Sequence, residues 1–376
     1  MNILVAIDSF KGSLSSRLAG EAVKKGFLLA DPSHNITVAS VADGGEGTLD
    51  AVTGDRGIIK SAEVLSPTLK KINARFGIEG GRCVIESAEA IGLPLLSESE
   101  KDPEKTSTFG LGQLILEAIN MGARDFIIGI GGSSTNDCGI GMLSALGYEF
   151  YSENNKRCIH GASELADIAY IKSDNVIKEL SLCSFTVACD VDNPLCGERG
   201  ASHIYAPQKG ASPSSVLRMD KSMENFADLC KKYLPSSDKD LPGAGAAGGL
   251  GFAFTSFLGG RLRKGIDVVL SAINIEEKIK ACDLVITGEG RLDYQSANGK
   301  TPIGIASLAK KHGKRVIAFS GCIGKSAEEL NGLGIDAFFP ILRSITSLEE
   351  AMDIENAYEN LSSTAYQVAR LIKSYT

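Results

Sequence analysis

Short, nearly unbroken apolar runs alternate along the chain with stretches of helical period, which predicts α/β architecture with a largely parallel sheet. Ile3–Ile7 reads as a buried strand. A helix follows over Leu14 to Leu29, with Leu18, Ala22 and Phe27 on one face and Ser13 or Ser15 placed to cap it. Ile36–Ala42 is a second strand, and others are expected at Cys83–Glu86, Phe126–Ile130, Phe185–Cys189, Leu284–Thr287, Val316–Ser320 and Ala337–Pro340. Thr301-Pro302 opens a helix, with Thr as N-cap and Pro at the first helical position, that stops at Gly313. Ser347 and Glu350 have capping-box spacing and open a helix expected to run to the C-terminus. The two strands at the start and three at the end look like Rossmann-type units, while the middle is less regular. The expected fold is therefore two α/β domains. One is Rossmann-like, mainly parallel and discontinuous in sequence (1–75 plus 281–376), and the second is inserted between its halves (76–280). A length of 376 residues, beyond what one core usually holds, agrees with that division.

Composition narrows the function classes. The chain is 43% hydrophobic and 23% charged, but its 42 glycines follow no repeat, so they are expected to serve tight loops, close helix packing or backbone approach to a ligand. The net charge of −7, without a basic tract, argues against nucleic acid as a partner. Nine cysteines form no CxxC pair and only four histidines are present, so a structural zinc site is not expected. His34, His160, His203 and His312 read as surface or satisfied side chains, and Cys138, Cys189 and Cys196 as small hydrophobes. The uncharged stretch Leu241–Gly260 is too glycine-rich for a membrane span, and the N-terminus lacks the basic start of a signal peptide. A cytoplasmic protein with reduced cysteines is the expectation.

Polar loops, five of them containing glycine, follow six of the expected strands. They are Asp8-Ser-Phe-Lys-Gly-Ser13, Asp43-Gly-Gly-Glu-Gly47, Gly131-Gly-Ser-Ser-Thr-Asn-Asp137, Asp190-Val-Asp-Asn193, Gly288-Glu-Gly-Arg-Leu-Asp293 and Gly321-Cys-Ile-Gly-Lys325. Any one of them reads most simply as a turn or helix cap. Together they suit phosphate chemistry: glycine amides and helix N-termini hold phosphate oxygens, lysines neutralise charge, and carboxylates hold Mg²⁺. Named nucleotide motifs fail. The Walker A pattern at Gly299-Lys300-Thr301 has Tyr294 where its first glycine belongs, and the GxGxxG at Gly243–Gly248 has no strand before it. Gly243–Gly251 is left as either a glycine-rich helix entry over phosphates or a helix packed through small residues. No GxSxG elbow is present, which disfavours a hydrolase.

Several blocks taken in order closely resemble the bacterial glycerate kinases of the type-1 family. They are Asp8-Ser-Phe-Lys-Gly-Ser-Leu-Ser15, Ala42-Asp-Gly-Gly-Glu-Gly-Thr-Leu49, Gly131–Asp137, Ala188-Cys-Asp-Val-Asp-Asn-Pro-Leu195, Pro207-Gln-Lys-Gly210, Gly245-Ala-Ala-Gly-Gly-Leu-Gly251 and Thr287-Gly-Glu-Gly-Arg-Leu-Asp293. The likeness covers nearly the whole chain; the main departure is Cys138, where glycine is common in the family. The resemblance implies ATP-dependent, Mg²⁺-assisted phosphorylation of D-glycerate, with 2-phosphoglycerate as the favoured product, in a cleft between two α/β domains. Its implied partners are the small acid and nucleotide, not nucleic acid or membrane, with a homodimer as the assembly it allows. A small-acid sensor would use the same loops but should carry a partner module, and an oxidoreductase would need a true dinucleotide loop.

Roles can be assigned as expectations. Asp190 ends an apolar strand ahead of an Asp-Asn-Pro turn; it is the expected general base or hydroxyl-orienting carboxylate, with capping of that turn as the alternative. Lys11 is the expected cation for substrate carboxylate or transferring phosphate, a solvated lysine being the alternative, and Asp8 is grouped with both. Ser133, Ser134 and Asn136, with Asp137 and Asn193, are expected to bind substrate at a helix start. Gly288, Glu289, Gly290, Lys300, Gly248 and Gly249 are the expected nucleotide contacts. Asp43, Glu46 and Asp293 are the expected Mg²⁺ ligands, with Glu289 and Asp293 open to either metal or ribose contact.

Overall fold

The computed structural model describes residues 1–54, 56–159, 161–293, 296 and 300–374; His160, Tyr294 and Gly299, named above, lie outside them. Two compact units emerge, Met1–Gly54 with Ile266–Thr376 and Asp55–Gly265. The divisions fall at 54 and 265, not at 75 and 280, and strand pairing explains the first shift. Residues 58–79 form a hairpin hydrogen-bonded into the sheet of the second unit.

The first unit begins with β1 (Asn2–Val5) and β2 (Asn35–Val38), joined by the helix Ser16–Ala30. Ser15, and not Ser13, caps that helix, its hydroxyl accepting the Leu18 N–H at 3.3 Å. The helix buries Ala19, Ala22, Val23 and Phe27 beside the long helix Ile354–Lys373, which buries Leu361, Ala365 and Val368. They approach closely at Gly26, where an added Cβ would lie 2.2 Å from the Ser362 carbonyl oxygen.

In the second unit, β3 (Ile58–Leu65), β4 (Lys71–Glu79), β5 (Arg82–Glu86) and β6 (Asp125–Gly129) come first. A small antiparallel sheet follows, of β7 (Glu149–Ser152), β8 (Arg157–Cys158) and β9 (Ile168–Lys172), and then β10 (Ser184–Ala188) and β11 (Arg261–Arg263). The six-stranded sheet has the order β11-β10-β6-β5-β4-β3, parallel from β11 to β5 and antiparallel at the β4 and β3 edge. Ile72, Ala74, Phe76 and Ile78 alternate with Lys71, Asn73, Arg75 and Gly77 along β4, the period of a strand covered on one face.

The chain returns to the first unit with β12 (Leu284–Leu292), β13 (Arg315–Ile323) and β14 (Ala337–Pro340). The sheet is wholly parallel, in the order β14-β13-β12-β1-β2. From the adjacent pair β1 and β12 the connections run to opposite sides, so this pair is the switch point at whose carboxyl edge open α/β sheets take ligands. Two expected boundaries change here. Strand β12 continues through Gly288–Leu292, because Gly290 and Gly321 let the strands approach: a Cβ on Gly321 would stand 2.5 Å from the Gly290 oxygen. The C-terminal helix breaks after Met352, since Asp353 turns extended and its carboxylate caps a new helix through the Asn356 N–H at 2.9 Å, although the Ser347–Glu350 capping box does form.

Gly26 gives a test in which packing and propensity have opposite signs. Alanine is better than glycine inside a helix by about 1 kcal/mol, yet here its methyl has no room. Gly26→Ala should lower unfolding stability by about 2 kcal/mol or more, read by chemical denaturation.

Candidate active site

At the switch point of the first unit, Asp8 leaves β1 and donates its N–H to the Gly288 oxygen at 2.9 Å. Its buried carboxylate accepts the Thr301 hydroxyl at 2.7 Å and the Ser9 N–H at 2.7 Å. Thr301 is the first residue of the helix Thr301–Lys311; Lys300 takes the cap position and the Thr hydroxyl is spent on Asp8. Glu289, projecting from β12, accepts the Ser296 hydroxyl at 2.5 Å and has Lys300 Nζ at 3.9 Å. Burial pushes both carboxyls above their ordinary range; the Asp43 charge adds to this at Asp8, and the charges of Asp8 and Asp293 add to it at Glu289. Lys11 lies 3.6 Å from Asp43, and Arg291 pairs with Asp293 at 3.0 Å. The edge therefore sets buried carboxyls among three cations, an arrangement suited to a polyphosphate carrying a divalent ion.

The second unit gathers its polar groups after β6. Asp137 is fully buried, and its carboxylate accepts four hydrogen bonds: Thr108 N–H and hydroxyl, both at 2.8 Å, Gly139 N–H at 3.1 Å and Gly141 N–H at 3.3 Å. Burial lifts its pKa while these donors work against the rise. Ser134 is tied through its N–H and hydroxyl to the Ile91 oxygen, each at 2.9 Å. Asn136 turns inward, donating to Ser202 Oγ at 3.0 Å. Lys209, 2% exposed, donates from Nζ to Ser133 Oγ at 3.0 Å and to the Thr135 oxygen at 2.7 Å. Burial holds this lysine down at about 7, against the pull of the Asp137 charge. Behind the loop, a Cβ on Gly248 would stand 2.1 Å from the Thr135 oxygen, and one on Gly249 2.8 Å from Cys138 Cα. Both glycines have positive φ, 70° and 91°, which also favours glycine.

Comparison with known proteins decides the family, for residues 3–373 match the glycerate kinase family. The chain belongs to the glycerate kinase family. The glycerate 2-kinase of Escherichia coli K12 is 43% identical over 372 residues, covering 98% of this chain and 97% of that protein. The glycerate kinase of Halalkalibacterium halodurans is 42% identical, covering 96% and 97%. A crystal structure from Salmonella typhimurium LT2, provisionally named glycerate kinase 2, superposes with a TM-score of 0.91 at 40% identity, covering 100% of this chain and 98% of that one. As a member of this family the chain is an enzyme, a kinase that handles a small-molecule substrate. Among the described residues no helix is long and apolar enough to cross a membrane.

Within this chain, most of the residues expected from sequence fall into two clusters. Asp8, Lys11, Asp43, Glu289, Asp293 and Lys300 occupy the edge of the first unit, and the loop 133–137 lies in the second. Asp43, Glu46 and Asp293 do not form a metal cage. Asp43 is paired with Lys11, Asp293 with Arg291, Glu46 is exposed, and among the described residues no three His, Cys, Asp or Glu side chains converge for a metal. Gly248 and Gly249 are buried behind the 135–138 backbone, the close-packing alternative of the two readings. Asn193 is taken up on both sides, donating to the Arg199 oxygen at 2.7 Å and accepting the Tyr205 hydroxyl at 2.5 Å. Asp190 is exposed and Oδ1 accepts the Gly265 N–H at 2.9 Å. Lys209 is the residue that sequence reasoning missed; its only signal was a place in the family block Pro207–Gly210.

The buried lysine carries a stability signature of known sign. Its folded pKa, about 7, lies below the unfolded value of 10.5, so the folded state binds fewer protons between those pH values and charge burial costs most at or below pH 7. The stability of Lys209→Met relative to the unsubstituted protein should therefore be highest near pH 7. It should decline by about 1.4 kcal/mol per pH unit between pH 7.5 and 9.5, measured by denaturant unfolding at each pH.

Proposed function

We propose that this chain transfers a phosphoryl group from ATP to the 2-hydroxyl of D-glycerate, giving 2-phosphoglycerate and ADP. The observation that carries the reading is near-full-length relationship to proteins named glycerate kinase, at 42–43% identity, the E. coli relative being named for the 2-position. Site chemistry supports the same reading. The edge of the first unit suits the nucleotide: Lys11 and Lys300 bear on its phosphates, and the Gly288-Glu289-Gly290 strand end brings backbone close to it. ATP supplies the phosphoryl group, and Mg²⁺ bound with it would supply charge stabilisation for the transfer. Asp8 and Glu289 fit that ion better than the Asp43, Glu46 and Asp293 set, because their carboxyls are buried among one another's charges and a cation would relieve both.

The loop after β6 in the second unit suits the acid. Ser133 presents its hydroxyl there, while Ser134, Asn136 and Asp137 fix the loop's shape from behind. Asp190, at the end of β10 in the same unit, is proposed to orient the attacking hydroxyl and accept its proton as the new O–P bond forms. Its contact with Gly265 makes a clean substitution available. Asparagine keeps an oxygen acceptor for that N–H while removing the charge, so Asp190→Asn should fold normally, with kcat lower by roughly 10²-fold or more. Near-normal turnover in the folded variant would remove Asp190 from the mechanism. The reaction itself is tested by ATP consumption that depends on added D-glycerate, with the phosphate position read by NMR. Absence of turnover across glycerate and related hydroxy acids would end the proposal.

A further inference from the structure

Lys209 stands out because nothing in phosphoryl transfer as derived above uses it, yet a buried lysine is among the costlier side chains a protein can keep. It sits in the short helical turn Pro207–Lys209, and Gly210 beside it has a φ of 100°. A Cβ on Gly210 would lie 2.2 Å from the Lys101 oxygen, so this turn is pressed against the backbone at Lys101. The charged groups of the surrounding elements are occupied elsewhere. Lys101 pairs with Glu98 at 2.5 Å, and Glu104 with Arg218 at 3.0 Å. Asp137 is the group whose charge bears on the lysine, and its carboxylate is already saturated by four donors.

What Lys209 touches is specific. One Nζ–H goes to the Thr135 carbonyl and fixes the loop; the other goes to Ser133 Oγ. Since Ser133 Oγ accepts from Nζ, its own proton must be directed away from Lys209, and the described residues offer it no acceptor. Ser133 is thus a directed donor with Lys209 Nζ 3.0 Å behind its oxygen. The neighbouring loops keep polar capacity too: Ser87 Oγ and Thr135 Oγ1 are buried with no hydrogen-bond partner among the described residues, and Ser87 adjoins the β6 strand end through its N–H to the Gly129 oxygen at 2.7 Å.

We propose that Lys209 is a positioning residue for the acid end of the substrate, holding Ser133 as a hydrogen-bond donor to the substrate carboxylate and taking up a proton when that anion binds. This rests on the reading of the β6 loop as the glycerate site. The proton comes from solvent and converts the Nζ amine to an ammonium; no covalent bond to substrate is made or broken. An arriving carboxylate supplies the counter-charge that the buried cation lacks, so binding and protonation favour each other. Affinity for glycerate is then highest below pH 7 and weakens above it, by up to tenfold per pH unit, with a matching proton uptake.

The test uses the full-length enzyme. Wild-type turnover with glycerate is measured first, from pH 6 to 9; its absence would overturn the glycerate reading, not the lysine's role. Given turnover, KM for glycerate should rise across pH 7 to 8.5 while KM for ATP stays flat, and calorimetry in buffers of different ionisation enthalpy should show proton uptake on glycerate binding above pH 7. Lys209→Met and Ser133→Ala should each raise KM for glycerate about tenfold or more and flatten its pH dependence. The double variant should be no worse than either single one, because the lysine acts through the serine. If Lys209→Met does not fold, Ser133→Ala and the wild-type proton uptake still decide the matter. Zero proton uptake with a flat KM profile, or additive losses in the double variant, would overturn the proposal.

Discussion

The Asp137 carboxylate is the interaction on which the second unit's functional loop depends. It lies in the interior, where an unpaired anion would cost several kcal/mol, and four donors from two segments converge on it. Thr108 is the cap of the helix Phe109–Asn120, and Gly139 and Gly141 begin the helix Ile140–Ala145. One side chain therefore registers two helix starts against the end of β6, and with them the direction in which Ser133 leaves the sheet. A neutral side chain of the same size would lose the charge that makes these four hydrogen bonds strong.

So dense an arrangement is possible only where backbones approach one another closely, which accounts for much of the glycine content. Gly141 has Ser107 Oγ where a Cβ would sit, at 2.3 Å; Gly112 has the Met142 oxygen at 2.3 Å; Gly110 has the Leu65 oxygen at 1.8 Å. These contacts press the helix Phe109–Asn120 onto β3 and onto the helix Ile140–Ala145. The first unit solves its problem differently. Its switch point opens an edge by topology alone, and glycine appears where β12 and β13 run close together past their expected ends. In that unit Glu289 projects from β12 itself, while Asp8, Asp43 and Asp293 lie in the connections beyond the strand ends.

These differences explain what could be read in the sequence. Strands of a parallel sheet are buried on both faces, so Ile3–Ile7 or Phe126–Ile130 stand out as apolar runs, and the carboxyl-end loops follow from them. The β3–β4 hairpin was not among the expected strands: β4 alternates over 71–78, but a half-polar strand has a weaker signal than one buried on both faces. Which loops matter was legible for the same reason; which way each side chain faces was not. Ser133 and Ser134 are adjacent and chemically identical, yet one faces Lys209 and the other is spent on Ile91. The pairing of Asp43 with Lys11 and of Asp293 with Arg291 is illegible for the same reason, because it depends on contacts no local pattern reports.

Lys209 is the sharpest case. Flanked by Pro207, Gln208 and Gly210, it has the local wording of a solvated turn, and nothing in hydropathy distinguishes it from the exposed lysines of the chain. Only the fold shows that the turn is folded inward against Lys101 and the β6 loop. An apolar residue of similar volume would fill the same space without the desolvation cost. Packing alone therefore gives no reason for an amine there, whereas an anion-binding loop does, because the cost of the buried cation is recovered when its counter-charge arrives.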